Sequence, residues 1–340
     1  MMIEVKDLKK NFIKYEKEPG FWGMLKGLFN VKKVVKKAVD GISFSIDEGE
    51  IVGYIGANGA GKSTTIKILT GILTPTSGTV TVNGVVPYKD RVKNAYNIGV
   101  VFGQRTQLWW DLPLNESFSI LKEIYNVSDE DYKKRLEFFD RVLGINEFIK
   151  SPVRTLSLGQ RMRADIAASL LHNPKVLFLD EPTIGLDVVA KQNMRDAIKH
   201  MNKEFKTTVI LTTHDLDDIE ELCNRIIIID NGHSIYEGTI NDIKDNYGYI
   251  KTVSYEITKN EENAFLDLKK FNLKEEDLNG KIENKTITIN FNKHKISVSD
   301  ITSYIMENFK VSDMTVSEQP IETLVGNIYQ KKGVVDVPTN

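Results

Sequence analysis

The chain has 340 residues, of which 41% are hydrophobic and 27% are charged, and its formal net charge is -2. These values are typical of globular proteins, predict about two domains, and argue against a broad nucleic-acid-binding surface. The single cysteine, Cys223, excludes an internal disulfide, and the absence of a run of about 18 apolar residues or of a signal-peptide core predicts a cytoplasmic chain that does not span a membrane.

Near the N-terminus, hydrophobic and aromatic residues are interspersed with lysines, and no acidic residue lies between Glu18 and Asp40. On a helical wheel, the large apolar side chains of residues 21–29 fall in one continuous arc. The pattern therefore predicts a short amphipathic helix with a basic exit in residues 19–37. Such a helix either packs against its own domain or lies on the cytoplasmic membrane surface, where lysines meet anionic lipid headgroups.

A glycine-rich loop follows the next apolar strand pattern, and it continues directly into a helical pattern. Gly56, Gly61, Lys62 and Ser63 have the spacing GxxxxGKS of a phosphate-binding loop. The glycines let backbone N–H groups turn toward phosphate oxygens, and the helix adds the favourable end of its dipole. Lys62 can then reach the β- and γ-phosphates and Ser63 can ligate Mg²⁺, so the loop predicts binding of a nucleoside triphosphate.

A second apolar strand pattern ends at Asp180 and Glu181. One carboxylate of such a pair can help to hold Mg²⁺ while its neighbour faces an attacking water molecule. Taken alone, an acidic pair after a strand is weak evidence, and a solvated acidic turn is its default interpretation.

Two further segments indicate the class of ATPase. LSLGQ at residues 156–160 begins a helical pattern, and His214 follows another buried-strand pattern. With these motifs in order, about the first 240 residues resemble the ATP-binding subunits of ABC transporters, which LSxGQ separates from other P-loop ATPases. The resemblance implies an α/β P-loop NTPase fold, an ABC nucleotide-binding domain over residues 1–240 with a helical subdomain at about 104–172, and hydrolysis of ATP with Mg²⁺.

The same resemblance implies a role for each motif residue. Glu181 is expected to act as general base or to orient water, His214 to contact the γ-phosphate, and Gln104 to touch magnesium and water. The magnesium ligands it implies are Ser63, Gln104 and Asp180. The nucleotide contacts it implies are Phe12, Gly56, Asn58, Gly59, Ala60, Gly61, Lys62, Ser63, Thr64, Ser157, Gly159, Gln160 and Asp187.

Two assignments within the resemblance have an alternative. Gly103 stands as an extra residue before Gln104, and Gln107 is the other glutamine that could reach magnesium. Phe12 is placed to stack on adenine, and Tyr15 is its alternative. Gln104 is preferred because the sequence after it then falls into the family's usual spacing.

The LSLGQ segment differs from the usual signature because Leu158 replaces a glycine. Its task is to present the Ser157 hydroxyl, the Gly159 N–H and a helix N-terminus to a γ-phosphate, so a leucine that points away is compatible with it. In the family this segment completes the site of a partner chain. The resemblance therefore implies a dimer with a second copy or with a homologous subunit.

A multi-span membrane permease is the other partner that the resemblance implies. Trp109 and Trp110 fall where the family has a groove for a cytoplasmic helix of that permease. Residues 16–37 form an insertion in the first domain, and ABC polysaccharide exporters carry a comparable insertion at this place. We therefore expect a peripheral protein at the cytoplasmic face of the cell membrane, with a lipid contact through residues 19–37 and no nucleic-acid partner.

The pattern of residues 250–332 predicts a small C-terminal α+β domain, for which a ferredoxin-like fold is the candidate. Apolar residues alternate at Val253, Tyr255 and Ile257, which is typical of a strand. The end of this region resembles the appended domain of drug-, ion- and lipid-type exporters, for which dimer support or regulation is the expectation. A packing accessory without a ligand is the alternative, since fold alone assigns no function.

The alternative function is a non-transport ABC ATPase that acts on DNA or ribosomes. DNA-type members separate their two motifs by long coiled coils, whereas about a hundred residues without sustained heptads separate them here. Ribosome-type members carry two cassettes in one chain, and this chain has one. The sequence therefore favours the energy-coupling subunit of a transporter, and export as its direction.

Overall fold

The computed structural model describes residues 1–16, 32–103, 105–258 and 266–330. The chain divides into two compact units, Met1–Gly238 and Thr239–Asn340. Among the described residues, no helix has the length and apolar character that crossing a bilayer requires.

Strands and helices alternate along most of the first unit. Its strands are β1 (Ile3–Glu16), β2 (Lys32–Ile46), β3 (Ile51–Gly56), β4 (Ser77–Val82), β5 (Ile98–Phe102), β6 (Val176–Asp180), β7 (Thr208–Thr212), β8 (Arg225–Asp230) and β9 (His233–Thr239). Its helices are α1 (Lys62–Leu69), α2 (Arg91–Asn97), α3 (Leu114–Ile124), α4 (Asp129–Leu143), α5 (Leu158–Leu170), α6 (Val188–Phe205) and α7 (Leu216–Leu222).

A six-stranded sheet with the order β5-β6-β7-β3-β8-β9 forms the centre of this unit. The pairs β5–β6, β6–β7, β7–β3 and β3–β8 are parallel. Central strands of a parallel sheet are covered on both faces, which explains their nearly continuous apolar sequences. Phe178, Ile210 and Ile227 are fully buried on three of them. All of these parallel strands end at the same edge, where the phosphate loop and the acidic pair follow them.

A second, antiparallel sheet has the order β2-β1-β4. Its hairpin is long, since the pairing of β1 with β2 continues to Glu16 and Lys32. The interval between the two strands is therefore 17–31, which lies inside the predicted insertion of residues 16–37. The predicted amphipathic helix, with its apolar arc at 21–29, lies outside the described residues, whereas Lys32–Lys37, which contain its predicted basic exit, lie in β2 and pair with β1.

Helices α3, α4 and α5 lie between β5 and β6, within the segment expected to form the helical subdomain. Helix α4 begins at an N-cap in which Ser128 accepts a hydrogen bond from the backbone N–H of Asp131, and it ends at Gly144 in the left-handed conformation. Phe118 and Phe139 are fully buried on α3 and α4. These helices position the loop after β5 and the LSLGQ segment.

The second unit is built on a four-stranded antiparallel sheet with the order β11-β12-β10-β13. Its elements are α8 (Ile240–Asn246), β10 (Ile250–Ile257), β11 (Leu278–Glu283), β12 (Thr286–Asn292), α9 (Val298–Asn308), β13 (Val311–Glu318) and α10 (Ile321–Gln330). This strand order is that of a ferredoxin-like sheet. Between β10 and β11, the structure describes a 3₁₀ turn at Leu268–Phe271, and residues 259–265 lie outside the described residues.

Candidate functional site

The phosphate loop connects β3 to α1 by a backbone path that only glycine fits. Gly61 has a φ of 116°, and a Cβ atom there would lie 2.6 Å from the carbonyl oxygen of Ala38. A Cβ atom on Gly56 would lie 2.5 Å from the carbonyl oxygen of Ile229. The loop is therefore pressed against two neighbouring strands, and its N–H groups at the start of α1 have no side-chain cap. Such groups form an anion-binding site.

Lys62 begins α1 and is 8% exposed. Its Nζ atom donates hydrogen bonds to the carbonyl oxygens of Gly56, at 2.5 Å, and Ala57, at 3.3 Å. Burial lowers the pKa of Lys62, and the carboxylates of Glu181 and Asp180 oppose that shift. The ammonium group thus lies inside the loop, close to two negative charges, and Ser63 and Thr64 follow it in the first turn.

The acidic pair lies at the end of β6, beside the end of β7. Asp180 accepts a hydrogen bond from the Thr212 hydroxyl. Glu181 has a φ of 59°, which is unusual for a residue with a side chain, and its N–H donates to the Thr212 carbonyl oxygen at 2.9 Å. Its carboxylate lies 3.3 Å from Nε2 of His214. The structure therefore brings Lys62, Asp180, Glu181 and His214 together.

The charge on Glu181 is set by opposing influences. Burial raises the pKa of Glu181 and the adjacent Asp180 adds to the rise, while His214 and Lys62 lower it. A carboxylate with a raised pKa is a stronger base than an exposed one. This pair of acidic residues is thus more than a solvated turn.

Gly103, which the sequence marked only as an extra position, lies directly against the acidic pair. Its N–H donates to the Asp180 carbonyl oxygen at 2.7 Å. A Cβ atom on Gly103 would lie 2.3 Å from the Glu181 carbonyl oxygen and 3.0 Å from that of Asp180. Glycine is required here because the start of the loop lies directly against the backbone of the acidic pair.

The two candidate glutamines differ in what can be described. Gln104 lies outside the described residues. The Gln107 side chain donates a hydrogen bond to the main-chain oxygen of Asp165 at 3.1 Å, so it is engaged by α5. This contact favours Gln104 as the residue that reaches magnesium, which stays a prediction.

The LSLGQ segment forms the N-terminus of α5 through a capping box. Ser157 Oγ accepts a hydrogen bond from the Gln160 N–H, and Gln160 Oε1 accepts one from the Ser157 N–H at 3.0 Å. The Leu158 side chain lies toward Gly185, where a Cβ atom would be 2.9 Å from its Cδ2 atom. Within the described residues, the side-chain hydrogen bonds of Ser157 stay inside its own cap, so its hydroxyl is not joined to the Lys62 cluster.

Two other expected nucleotide contacts lie at the surface. Phe12 on β1 is 40% exposed, with Nζ of Lys10 at 5.3 Å from the centre of its ring. The Tyr15 side chain lies outside the described part of the chain. Asp187 caps α6 by accepting a hydrogen bond from the Ala190 N–H at 2.8 Å. The nucleotide roles of both residues stay predictions.

A buried ion pair behind the site was not found from the sequence. The Asp218 carboxylate on α7 is fully buried and accepts hydrogen bonds from Arg195 Nε at 2.7 Å and from the hydroxyls of Thr183 and Thr213. Arg195 lies on α6, Thr183 lies just after the acidic pair, and Thr213 directly precedes His214. The network fixes the loops that carry Glu181 and His214. An acidic residue inside a buried helical face was the only signal that the sequence offered.

Known proteins resemble this chain in sequence and in structure. The family described as "ABC transporter" matches residues 39–184. The chain is 33% identical over 215 residues to the Bacillus subtilis ABC transporter ATP-binding protein NatA, covering 63% of this chain and 87% of that protein. It is 38% identical over 221 residues to the Linearmycin resistance ATP-binding protein LnrL of the same organism, covering 64% and 70%. A solved dimeric ATP-binding cassette in a post-hydrolysis state, bound to ADP and Pi, has a TM-score of 0.58 and 26% identity, covering 70% of this chain and 99% of that one.

Gly103→Ala tests whether the loop and the acidic pair depend on their close approach. The new methyl group would push the Glu181 backbone aside, and a displacement of this size predicts a loss of ATP hydrolysis of roughly 100-fold. Steady-state hydrolysis by the full chain is the measurement. Gly326→Ala is the matched control, since nothing lies within 4 Å of a Cβ atom there. Hydrolysis by Gly103→Ala at the rate of that control would contradict the account.

Proposed function

Because the chain belongs to the ATP-binding subunits of ABC transporters, we propose that it hydrolyses ATP at sites shared by two such subunits and thereby drives an exporter. The observation that carries the proposal is the cluster of Lys62, Asp180, Glu181 and His214 at one edge of the parallel sheet. The cluster combines a cation for phosphate oxygens with a carboxylate base. These are the groups that phosphoryl transfer to water requires.

A magnesium ion fits the donor set beside this cluster. Mg²⁺ prefers hydroxyl and carboxylate oxygens, which Ser63 and Asp180 supply, and Gln104 is the proposed third ligand. The repulsion between Asp180 and Glu181, which contributes to the raised pKa of Glu181, is what a nearby cation would relieve. When bound, Mg²⁺ offsets charge on the phosphates.

The residues of the chain then have separate tasks. Lys62 turns its ammonium group from the loop carbonyls to the β- and γ-phosphates. Glu181 holds the attacking water in line and accepts its proton, a task for which a carboxylate with a raised pKa is suited. His214, in contact with Glu181, also reaches the γ-phosphate. Phe12 stacks on adenine. Backbone N–H groups around Gly56, Asn58, Gly59, Ala60, Gly61, Ser63 and Thr64 hold the phosphates.

The LSLGQ segment completes the site of a partner subunit. Ser157, Gly159 and Gln160 at the N-terminus of α5 would approach the γ-phosphate bound by the other chain. Next to Asp187, Val188 and Val189 are 83% and 69% exposed, which fits a surface that another subunit covers. The partner is a second copy or a homologous ATP-binding subunit.

A multi-span membrane permease is the proposed partner for the loop after β5. Trp109 and Trp110 are 38% and 48% exposed there, and the Arg161 guanidinium lies 5.5 Å from the Trp110 ring centre. Exposed aromatic side chains next to arginine are typical of interfaces between proteins. Docking at this loop would place the subunit at the cytoplasmic face of the membrane.

Export is the direction that we infer for the transporter. The C-terminal region resembles the appended domains of exporters, and the similarity to a resistance protein fits removal of a compound from the cell. The insertion adds a proposed contact with anionic lipids through residues 19–37. In its described part, Lys33, Lys36 and Lys37 are exposed, which suits a negatively charged membrane surface.

Affinity purification from gently solubilised native membranes tests the function. Tagged Glu181→Gln protein with ATP, which should bind ATP but turn it over very slowly, should retain a multi-span membrane protein at stoichiometric level, identified by mass spectrometry. When Trp109→Ala and Trp110→Ala are added to this protein, it should lose the membrane protein. The control substitution Val92→Ala, which alters an exposed apolar residue on α2, should leave the membrane protein bound. Recovery of ribosomal or DNA-bound proteins without a permease would contradict transport, and an extracellular substrate-binding protein in the complex would contradict export.

Deletion of residues 19–33 tests the lipid contact. We expect the deletion to weaken binding to vesicles that contain anionic lipid more than it weakens ATP binding, because the aromatic residues of the segment and Lys26, Lys32 and Lys33 are gone. Co-sedimentation with anionic and with neutral vesicles measures this. Unchanged vesicle binding, or loss of folded protein, would instead indicate a segment that packs against its own domain.

A further inference from the structure

The loop that follows β5 is tied to α5 by one buried carboxylate, that of Asp165. This residue is 5% exposed. Its Oδ1 atom accepts hydrogen bonds from the Thr106 hydroxyl at 2.7 Å and from the Gln107 N–H at 3.2 Å. Its main-chain oxygen accepts the Gln107 side chain. Three hydrogen bonds therefore join two consecutive loop residues to one residue of the helix.

The anchored residues lie between the catalytic cluster and the exposed tryptophans. Upstream, Gly103 packs against the backbone of the acidic pair. Downstream, the Leu108 N–H donates to the Thr106 hydroxyl oxygen at 3.1 Å, and Trp109 and Trp110 follow at once. Along the loop, Thr106 and Gln107 therefore stand between the tryptophans and the acidic pair, while Trp110 also contacts Arg161 of α5.

The helix end of this connection leads to the LSLGQ segment. Asp165 lies about two turns after Ser157 on α5. The helix is packed around it, since Ala164, Ile166 and Ala167 are fully buried. A packed helix of this length moves as one body, so the position of Asp165 determines that of the Ser157 cap.

The buried carboxylate of Asp165 carries a desolvation penalty. Burial raises the pKa of Asp165 to about 6, although the hydrogen bonds from Thr106 and Gln107 and the charge of Arg161 oppose the rise. A well-packed apolar residue would avoid this desolvation penalty. What an apolar residue would not supply is a directional connection to the loop.

We propose that Asp165 is a positioning residue that couples the loop bearing Trp109 and Trp110 to the Ser157 end of α5. When two subunits close on ATP, α5 moves with the phosphate that Ser157 contacts, and Asp165 carries that movement to the tryptophans. In the reverse direction, a partner that engages the tryptophans shifts Ser157. The inference rests on the proposed function of Ser157 at the partner's nucleotide.

Tryptophan fluorescence measures this coupling directly in the full chain. The sequence has three tryptophans, so replacing Trp22 by Phe leaves only Trp109 and Trp110 as reporters. In a Glu181→Gln background, quenching by acrylamide should change when ATP and Mg²⁺ are added. Asp165→Ala, and independently Thr106→Val, should lose most of that change while they still bind ATP in equilibrium dialysis. Thr106→Val keeps the test valid if Asp165→Ala does not fold.

Asp165→Asn separates positioning from bulk stability. The amide oxygen of asparagine can accept the same two hydrogen bonds, so this variant should retain the ATP-dependent change. Ser119→Ala, which removes an exposed hydroxyl on α3 bonded to the Asn115 carbonyl oxygen, should retain it as well.

Three results would contradict the coupling. Either an unaltered ATP-dependent change in Asp165→Ala and Thr106→Val, or no change in the reference protein despite bound ATP, would overturn the coupling alone. A reference protein that binds no ATP would overturn the proposed function and the coupling with it.

Discussion

The electrostatic balance around Glu181 is the constraint on which the rest of the site depends. Burial of its carboxylate at the end of β6 raises its pKa, and the interactions with His214 and Lys62 oppose that rise. Lys62 is buried in turn, and the carboxylates oppose the fall in its pKa. Burying either the carboxylate or the ammonium group without the opposite charge would be strongly destabilising. The parallel sheet meets this constraint because strands β3, β6 and β7 end at one edge and deliver these groups together.

Close backbone approach is the second constraint, and it explains where glycine is required. Gly61 lets the phosphate loop lie against the Ala38 carbonyl, and Gly103 lets the next loop lie against that of Glu181. Beyond Gly103, the loop is hydrogen-bonded to Asp165 through Thr106 and Gln107, and the exposed tryptophans follow. Short contacts therefore connect the acidic pair to the start of the proposed docking loop, and that loop to the LSLGQ helix.

What could be predicted from the sequence depended on how far apart the interacting residues lie. The phosphate loop was readable because its strand, glycines and helix are contiguous. Asp165 was not, since the loop residue it anchors lies 58 positions away, and the Asp218 partner Arg195 lies 23 positions away. The lysines after residue 31 follow the predicted helix in the sequence, and only pairing with the distant strand β1 determines their structure. Pattern reasoning sees local periodicity and not such distant partners.

The central claim is that one chain holds only half of each complete site. Lys62 and the acidic pair share a cluster, whereas the Ser157 cap is joined only to its own helix among the described residues. Analytical ultracentrifugation of Glu181→Gln protein at saturating ATP and Mg²⁺, or mixed with its homologous subunit if it has one, tests this most directly. The account predicts a dimer with ATP and separate subunits without it. Separate subunits under both conditions would contradict it.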